Sequence, residues 1–377
     1  MFLKVKYYIY LSNIQKLAKK KRGHPVSICF YVTLRRRENE MRDDITFIRQ
    51  LMLPYQLNVY DFKEKGKIRK LYTDKGIFAL KELHRPSDAH FIRWLRELYF
   101  SGYPKIVPII PTLEGNNIVY SQNRAFYLMP WLNSGKAMPR KDKVDFMFKE
   151  AARIHAMTVK NVVILEEESK SYYEKLKRAI EEDLSFCEGC VEQFENQWYM
   201  SPFELQFCTY FNEIYKASMY ALRSLENWYE IVKNEKKIRM TIVHGKLSPD
   251  HLLFDERGYS YFINFEKCRQ DLPIFDLYPY IKQSYQTYPL SSISIDWYKG
   301  YCKYFPLKEE EENLLKCRLA RPKELVKVVQ HYVQNKNRNE REYTMKLQKE
   351  YWHFKNIESF IMKIEEFRQS KSEDIST

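Results

Sequence analysis

The sequence predicts an α+β protein of two lobes, in which a small N-terminal lobe rich in β-strands precedes a large helical lobe. Two patterns lead to this class. Short apolar runs separated by turn residues fill the segment from Leu57 to Leu132, whereas apolar residues recur at helical spacing over most of the chain beyond residue 133. The length of 377 residues is sufficient for two domains or for one large bilobal domain.

Residues 1–40 differ from everything that follows. They contain ten Lys and Arg against two Glu, which is more than half of the net charge of +14, and their apolar residues show no sustained period. We expect a flexible basic extension or a start assigned too early, with Met41 as the natural first residue. The stretch "MFLKVKYYIYLSNI" is too short and too charged to span a bilayer, and it lacks the apolar core of a signal peptide.

The composition narrows the class of protein further. Hydrophobic residues make up 45% of the chain and charged residues 30%, as in ordinary globular proteins, and no segment is apolar enough for an integral membrane helix. Beyond residue 40 the net charge is modest, which favours a solvated surface over a surface that binds nucleic acid. Seven Cys without a secretion signal fit a reducing compartment; Cys187 and Cys190 form a CxxC pair, but the second pair that a zinc site needs is missing.

The N-lobe is predicted over residues 41–133. A first helix starts near Met41, with acidic residues in its first turn. A second helix, "DAHFIRWLRELYFSG", has apolar residues on one face and ends at Gly102. Five strands are predicted around it, in the runs "YDFKEKGKIRKLYT", "GIFALKEL", "IVPIIPT" and "NNIVYSQNRAFYLMPWL".

The C-lobe is predicted over residues 134–367. It contains an amphipathic helix, "KVDFMFKEAARIHAMT", an aromatic-rich helical stretch over 168–233, and further helices from Asp276 onward. Between them, "TIVHGKLSPDHLLFDERGYSYFINFEK" has the pattern of short strands around a polar loop. The polar tail 368–377 is predicted to be disordered.

The order of these parts resembles the aminoglycoside-phosphotransferase and choline-kinase branch of the protein-kinase-like fold, over roughly residues 45–365. Within that branch the chain most resembles the CotS family of spore coat proteins. The motifs that carry the resemblance are "FALKEL", "FYLMPWL", "AARIHAMT", the His-Gly stretch quoted above and "LPIFDLYPYI". This resemblance implies a bilobal fold with a small β-rich N-lobe and a large helical C-lobe.

The resemblance also implies where a nucleotide would bind. Lys81 in "FALKEL" would hold the α- and β-phosphates, with Glu97 as its partner acid. Met129 and Trp131 would contact the adenine through backbone hydrogen bonds, since Pro130 between them has no N–H. The alternative is that these are ordinary strand and surface residues. The segment "KEKGKIRK" contains a single glycine where kinases cover the phosphates with a Gly-rich loop.

The catalytic positions have changed while the residues around them have not. The family pattern is His-Gly-Asp, four residues, Asn, and then a strand ending in Ile-Asp-Phe/Trp-Glu, where the first Asp handles the substrate proton and the Asn and second Asp bind Mg²⁺. Here these three positions carry Lys246, His251 and Asn264. A protonated lysine cannot accept a proton, and Mg²⁺ prefers anionic oxygen ligands, so the site is predicted to be degenerate.

The framework of the same region is kept. His244 and Gly245 match the family motif, and Asp276 matches an acid that hydrogen-bonds the backbone of the His-Gly loop. His155 in "AARIHAMT" is predicted to be a packing residue. Glu266 lies two residues after Asn264, so the two would share one face of a strand. With Asp250 and Asp255 close in sequence, Glu266 is the candidate ligand of a relocated metal site.

These residues and the resemblance lead to one expectation and two alternatives. The expectation is a spore coat or coat-assembly protein that is catalytically inactive, has no cofactor, has other spore coat proteins as partners, and passes from the mother-cell cytoplasm to the endospore coat. The first alternative is an active small-molecule phosphotransferase that uses ATP, Mg²⁺ and relocated acids. The second is a pseudokinase that binds nucleotide without turnover.

Overall fold

The computed structural model describes residues 44–85, 89–133, 135, 138–287, 293–335 and 337–376. The predicted extension over 1–40 lies outside them. Contacts divide the chain into two compact units. The first holds the described parts of Met1–Pro86 together with Pro108–Trp131, and the second holds the described parts of Ser87–Val107 and Leu132–Thr377. The helix that the sequence placed among the strands of the N-lobe therefore belongs to the second unit.

The first unit is a five-stranded antiparallel sheet with one helix. Its strand order is β1-β2-β3-β5-β4. The helix α1 covers 44–52, and the strands are β1 Val59–Lys65, β2 Ile68–Thr73, β3 Gly76–Glu82, β4 Val119–Ser121 and β5 Arg124–Pro130. Short polar turns join β1 to β2 to β3, so that neighbours in sequence pair with each other.

The core of this unit lies between α1 and the sheet. Ile48, Leu51 and Met52 of α1 pack with Leu80 and Leu128 from the central strands. In β5 five successive residues are buried, and the strand has a neighbour on each side, β3 and β4. The apolar residues of α1, which recur at helical spacing, thus form one stripe on the helix, and the sheet buries this stripe.

The predicted strand "IVPIIPT" is wrong. Ile106 and Ile110 form only isolated bridges, to Phe262 and Leu128 respectively. Pro108 and Pro111 lack the N–H group that a continuous ladder needs, so pairing cannot extend from either bridge.

The second unit contains the remaining helices and five short strands. The helices are α2 Phe91–Phe100, α3 Arg140–Thr158, α4 Glu166–Glu195, α5 Pro202–Glu235, α6 Ile274–Thr287, α7 Ile293–Cys302, α8 Glu309–Ala320, α9 Lys323–Gln334 and α10 Glu340–Ser376. The strands are β6 Lys160–Val163, β7 Lys237–Val243, β8 Leu252–Phe254, β9 Ser260–Phe262 and β10 Arg269–Asp271. They form a three-stranded sheet, β10-β7-β6, and the β8-β9 hairpin. None of the described helices is long and apolar enough to cross a membrane.

Aromatic side chains fill much of the helical core. Phe203 stacks on Tyr332 with ring centroids 3.7 Å apart, and Tyr210 stacks on Tyr351 at 3.6 Å. Cys187 and Cys190 pack in the same core, where burial raises the pKa of the two thiols to about 12 and about 11. Both are therefore protonated at neutral pH, and in this structure the CxxC pair contributes packing.

The long helical hairpin α4–α5 has a firmly fixed turn. Ser201 caps α5 by accepting a hydrogen bond from the backbone N–H of Glu204, while the Glu204 carboxylate accepts one from the backbone N–H of Ser201. Pro202 occupies the first helical position, where its missing N–H costs nothing. The turn presents Trp198 and Tyr199 to solvent, 90% and 82% exposed.

The C-terminal tail differs from the prediction. Helix α10 continues to Ser376, through nearly all of the segment predicted to be disordered. Residues 368–376 contain no Gly or Pro, and Arg, Gln, Lys and Glu among them are good helix formers, so a helix that is anchored upstream can propagate through them.

Candidate functional site

Asp276, in the first turn of α6, holds the backbone of the His-Gly loop. Its Oδ2 accepts a hydrogen bond from the backbone N–H of His244 at 2.7 Å, and its Oδ1 accepts one from Gly245 at 2.8 Å. The carboxylate is almost fully buried. Because each oxygen takes a separate backbone donor, Asp276 fixes both the position and the orientation of the loop at the end of β7.

His155, on α3, is the third partner of this carboxylate. Its Nε2 lies 3.2 Å from Asp276 Oδ2, and its Nδ1 lies 2.7 Å from the hydroxyl of Tyr301 on α7. Both rings are fully buried. Burial on its own would raise the pKa of Asp276, but the hydrogen bond and charge interaction with His155 and those with His244 hold that pKa below its usual value. Tyr301 belongs to no motif and was therefore not among the predicted site residues.

His244 is locked in one tautomer by two backbone groups. Its Nδ1 accepts a hydrogen bond from the backbone N–H of Lys246 at 3.3 Å, so its Nε2 carries the proton that is donated to the carbonyl of Ile263 at 3.0 Å. The ring also packs against Phe265, with centroids 4.7 Å apart. His244 therefore joins the loop to the chain that follows β9, which is a structural task.

Gly245 is required by close backbone contact. Its φ of +76° lies in the left-handed region, and a β-carbon added there would stand 2.2 Å from the carbonyl oxygen of Lys267. No other residue fits without moving one of the two chain segments.

Lys246 and His251 occupy the loop itself. The Lys246 side chain is exposed, and the Lys246 carbonyl accepts a hydrogen bond from His251 Nδ1 at 2.9 Å. His251 ends the one-turn helix Pro249–His251, and its ring lies 5.5 Å from that of His244. The imidazole at position 251 thus closes the loop, and it presents a nitrogen-bearing ring where the family pattern has an amide oxygen.

The two other acids near the loop have partners. Asp250 lies 3.6 Å from Arg140, and its charge also acts on Lys143, whose pKa is lowered mainly by burial. Asp255 accepts hydrogen bonds from the backbone N–H groups of Arg257 and Tyr259, at 2.9 and 2.8 Å, which closes the β8-β9 turn. Asp250 is therefore balanced by cations, and Asp255 has a local structural role.

The geometry proposed for Asn264 and Glu266 is wrong. Strand β9 ends at Phe262, Asn264 has a left-handed φ of 67°, and Glu266 lies in the one-turn helix Phe265–Lys267. The two side chains therefore do not share the face of a strand. Asn and Asp are the residues that adopt the left-handed conformation most readily after Gly, so position 264 suits either side chain.

The residues at these positions do not fit a hard divalent cation. Mg²⁺ binds one or two carboxylates in near-octahedral geometry. Asn264 provides a neutral oxygen, His251 provides an imidazole, and Lys246 provides a positive charge on the same loop. An ammonium group about 4 Å from a divalent ion would cost several kcal/mol even at an effective dielectric near 20.

The predicted nucleotide-binding residues lie in both units. In the first unit, Lys81 on β3 is 9% exposed, and its Nζ lies 6.0 Å from the ring centre of Tyr127 on β5. Met129 is buried in β5, and the backbone N–H of Trp131 donates to the Ile77 carbonyl at 3.0 Å. That hydrogen bond continues the sheet past Pro130, so the Trp131 donor is already in use.

Glu97 belongs to the second unit. It lies on α2, and its carboxylate forms an ion pair with the Nζ of Lys160 on β6. The roles assigned to Lys81, Glu97, Met129 and Trp131 in nucleotide binding remain predictions.

Comparison with known proteins bears on the fold. No protein-family model and no curated protein matches the chain. Among solved structures, an aminoglycoside phosphotransferase from Alicyclobacillus acidocaldarius matches with a TM-score of 0.66 and 13% identity, over 85% of this chain and 96% of that one. A microcompartment-associated aminopropanol kinase matches at 0.49 and 13%, over 84% and 98%, and the choline kinase LicA from Streptococcus pneumoniae at 0.44 and 13%, over 84% and 99%.

The first of these structures is similar enough to identify the fold of this chain. At 13% identity, the similarity concerns the fold alone. It confirms the predicted fold class: a small antiparallel sheet and a large helical part, as in an aminoglycoside phosphotransferase, which has a protein-kinase-like fold.

Proposed function

We propose that this kinase-like chain does not transfer phosphate and that it serves as a scaffold among the proteins of the endospore coat. The absence of phosphate transfer is supported by a contrast between the framework residues of one loop and its chemical positions. Asp276 hydrogen-bonds the loop backbone, as a working site would require, while the positions that do chemistry carry Lys246, His251 and Asn264.

The chemistry of those three side chains supports the absence of turnover. An ammonium group at position 246 cannot accept the proton of a substrate hydroxyl at neutral pH. An imidazole and a neutral amide are poor replacements for oxygen ligands that neutralise Mg²⁺. Two further acids of the region have partners: Asp250 lies close to a cation, and Asp255 is held by the β8-β9 turn.

The scaffold role is supported by the surface of the α4–α5 turn and by the resemblance to the CotS family. Trp198 and Tyr199 project from a turn whose backbone is held by the capping of α5, so little backbone freedom is lost on contact. Trp and Tyr are the residues that most often dominate protein interfaces. We infer that they contact other spore coat proteins after the chain leaves the mother-cell cytoplasm.

The first test is thermal unfolding of the full chain with ATP, alone and with Mg²⁺ or Mn²⁺. A ligand that binds only the folded state stabilises it by about 2.7 kcal/mol at a concentration of 100 times its Kd. We expect no increase in melting temperature that depends on the divalent ion. An increase with ATP alone would identify a nucleotide-binding pseudokinase. A metal-dependent increase together with ATP hydrolysis, both lost in Glu266→Gln, would show an active phosphotransferase with a relocated ligand.

The second test concerns the coat. A tagged chain produced during sporulation should be recovered with the coat layer of purified endospores, and the double variant Trp198→Ser, Tyr199→Ser should be recovered at a several-fold lower level. Tyr60→Ser, which changes an exposed aromatic residue of β1, is the matched control and should behave like the unmodified chain. Recovery of the unmodified chain only outside the coat layer would contradict the scaffold proposal.

A further inference from the structure

Strand β6 is one edge of the three-stranded sheet β10-β7-β6, and on its outer side no strand of the described residues pairs with it. Its antiparallel register with β7 is unbroken over all four residues. The chain is also extended at Val159, just before the strand, and at Leu165, just after it. Positions 159–165 therefore form one continuous edge to which a further strand can be added.

The hydrogen bonds between β6 and β7 show which backbone groups point outward. The Ile164 N–H donates to the Lys236 carbonyl at 3.1 Å, and the N–H of Ile242 likewise points toward the β6 side. Hydrogen bonds alternate along an antiparallel pair, so the even-numbered residues of β6 bond to β7 and the odd-numbered ones point away from it. Within the described chain, Asn161 and Val163 thus present backbone donors and acceptors at the outer edge.

The side chains of the odd-numbered positions lie on one face and form an apolar strip. Val159, Val163 and Leu165 are 37%, 66% and 62% exposed, and Asn161 is exposed between them. Lys160 is the one charged residue of β6, whereas the edge strand β1 is charged at four of its seven positions and β10 at two of its three. Charges are a common protection of an exposed edge, so this apolar strip indicates an edge that a partner covers.

A two-fold axis at Asn161 makes the strip complementary to itself. When two copies pair in antiparallel fashion about this axis, Asn161 lies opposite Asn161 of the second copy, and Val159 lies opposite Val163 of the second copy. The outward backbone groups then meet in hydrogen-bonded pairs, and the exposed valines cover each other. An axis at Lys160 would place two lysines opposite each other, and an axis at Val162 would place each Val163 opposite an asparagine.

We propose that β6 is a self-association surface, through which two copies of this chain join their three-stranded sheets into one of six strands. Met157, 43% exposed in the last turn of α3, and Leu165 extend the apolar contact at its two ends. A strand pair this short buries less than the roughly 1,600 Å² of a standard interface, so the dimer is weak. The surface is separate from the α4–α5 turn, and the proposal does not depend on the coat role.

The first test is sedimentation velocity of the full chain over a concentration series from micromolar to submillimolar, where we expect a reversible dimer. Asn161→Pro removes an outward N–H, so it should abolish the dimer while the melting temperature changes by only a few degrees. Val162→Pro is the matched control: it removes an N–H that bonds to β7 and should lower the melting temperature much further. A chain that stays monomeric, or a dimer that survives Asn161→Pro, would overturn the proposal, as would equal losses of stability in the two variants.

If Asn161→Pro does not fold, a charge on the strip gives the same answer. Val163→Lys leaves the backbone of β6 unchanged and should raise the dissociation constant of the dimer at least tenfold. Tyr60→Lys, which adds the same charge at an exposed position of the edge strand β1, is its control and should change nothing. Equal dissociation constants for Val163→Lys and the unmodified chain would overturn the proposal.

The second test fixes the register by disulfide cross-linking. Residues opposite each other in a hydrogen-bonded pair have Cα atoms about 5.5 Å apart, which suits a disulfide, so Asn161→Cys should link two copies under mild oxidation. Val163→Cys should not, because the two Val163 positions would be about 13 Å apart. Cys29 and Cys208 are first replaced by serine, since the other five cysteines are buried. A cross-link through Val163→Cys and none through Asn161→Cys, or no cross-link in either, would overturn the proposed pairing.

Discussion

Replacing Asp276 by alanine is expected to lower the free energy of unfolding by about 3–5 kcal/mol, because the change removes a buried carboxylate that is hydrogen-bonded to three groups. Two backbone N–H groups, those of His244 and Gly245, would lose their buried acceptor, and His155 would lose its carboxylate. Each orphaned donor costs on the order of 1–3 kcal/mol. Asp276→Asn should also destabilise, because an amide NH₂ placed against one of these N–H groups brings two donors together.

The measurement is chemical unfolding of the unmodified chain and of matched variants. Asp250→Ala removes an acid from the exposed part of the same region, and Lys246→Ala removes the exposed cation of the loop. Both should cost less than about 1 kcal/mol. If Lys246→Ala were as destabilising as Asp276→Ala, Lys246 would have a structural role and the division between framework and chemical positions would fail.

The same carboxylate should make the fold sensitive to acid. The pKa of Asp276 is lower in the folded chain than in the unfolded chain, so its contribution to stability is fully present above the unfolded pKa and is lost as the pH falls through the folded one. Unfolding measured from pH 6 to pH 2 should therefore show the difference in stability between the unmodified chain and Asp276→Asn shrinking below about pH 4. A difference that grows on acidification would contradict the lowered pKa.

Restoring the family residues at all three chemical positions is expected to create divalent-metal binding. In the triple variant Lys246→Asp, His251→Asn, Asn264→Asp, one positive charge is replaced by two negative ones and an imidazole by an amide oxygen. The left-handed backbone at position 264 accepts Asp as it accepts Asn, and the framework of Asp276, His244 and Gly245 is untouched. We expect the affinity for Mn²⁺ with an ATP analogue to rise at least tenfold, with metal binding recovered before turnover.

Titration calorimetry of the unmodified chain, the triple variant and a triple alanine variant at the same positions makes the comparison. The alanine variant removes the cation without adding carboxylates, so it separates loss of repulsion from gain of ligands. Equal affinity of the two triple variants would show that the carboxylates are not positioned to bind metal. Micromolar metal–nucleotide binding with ATP hydrolysis in the unmodified chain would refute the proposed lack of turnover.

The sequence predicted the fold class more accurately than it predicted individual strands or the unit to which each helix belongs. The alternating runs of the first unit and the helical periods of the second are strong local signals, and they gave the correct class. The segment from Ile106 to Pro111 was wrong because its apolar residues resemble a strand while its prolines prevent a ladder. The assignment of α2 to the first lobe followed sequence order, whereas its contacts lie in the second unit.

Within the candidate site, the contact of Asp276, which belongs to a motif, was predicted correctly, and contacts that depend on the folded chain were not. Resemblance placed Asp276 beside the His-Gly loop, because that role depends on a residue type at a fixed place in a motif. Tyr301 was missed because it reaches His155 from 146 residues away and belongs to no motif. The prediction that Asn264 and Glu266 share one face of a strand failed because a single left-handed residue, Asn264, redirects the chain. The apolar pattern around this residue does not indicate the change of direction.

The close contact at Gly245 has a consequence for the use of the His-Gly motif in classifying kinase-like proteins. A β-carbon at this position would stand 2.2 Å from the Lys267 carbonyl oxygen, so selection for folding alone is enough to preserve the glycine. Lys246, next to it and exposed, is under no comparable steric restriction. Lineages that lose phosphotransfer can therefore drift at the chemical positions while keeping the His-Gly signature unchanged. An evolutionary search that recognises enzymes by this signature would group catalysts with their non-catalytic descendants, and the residue that follows the glycine would separate them.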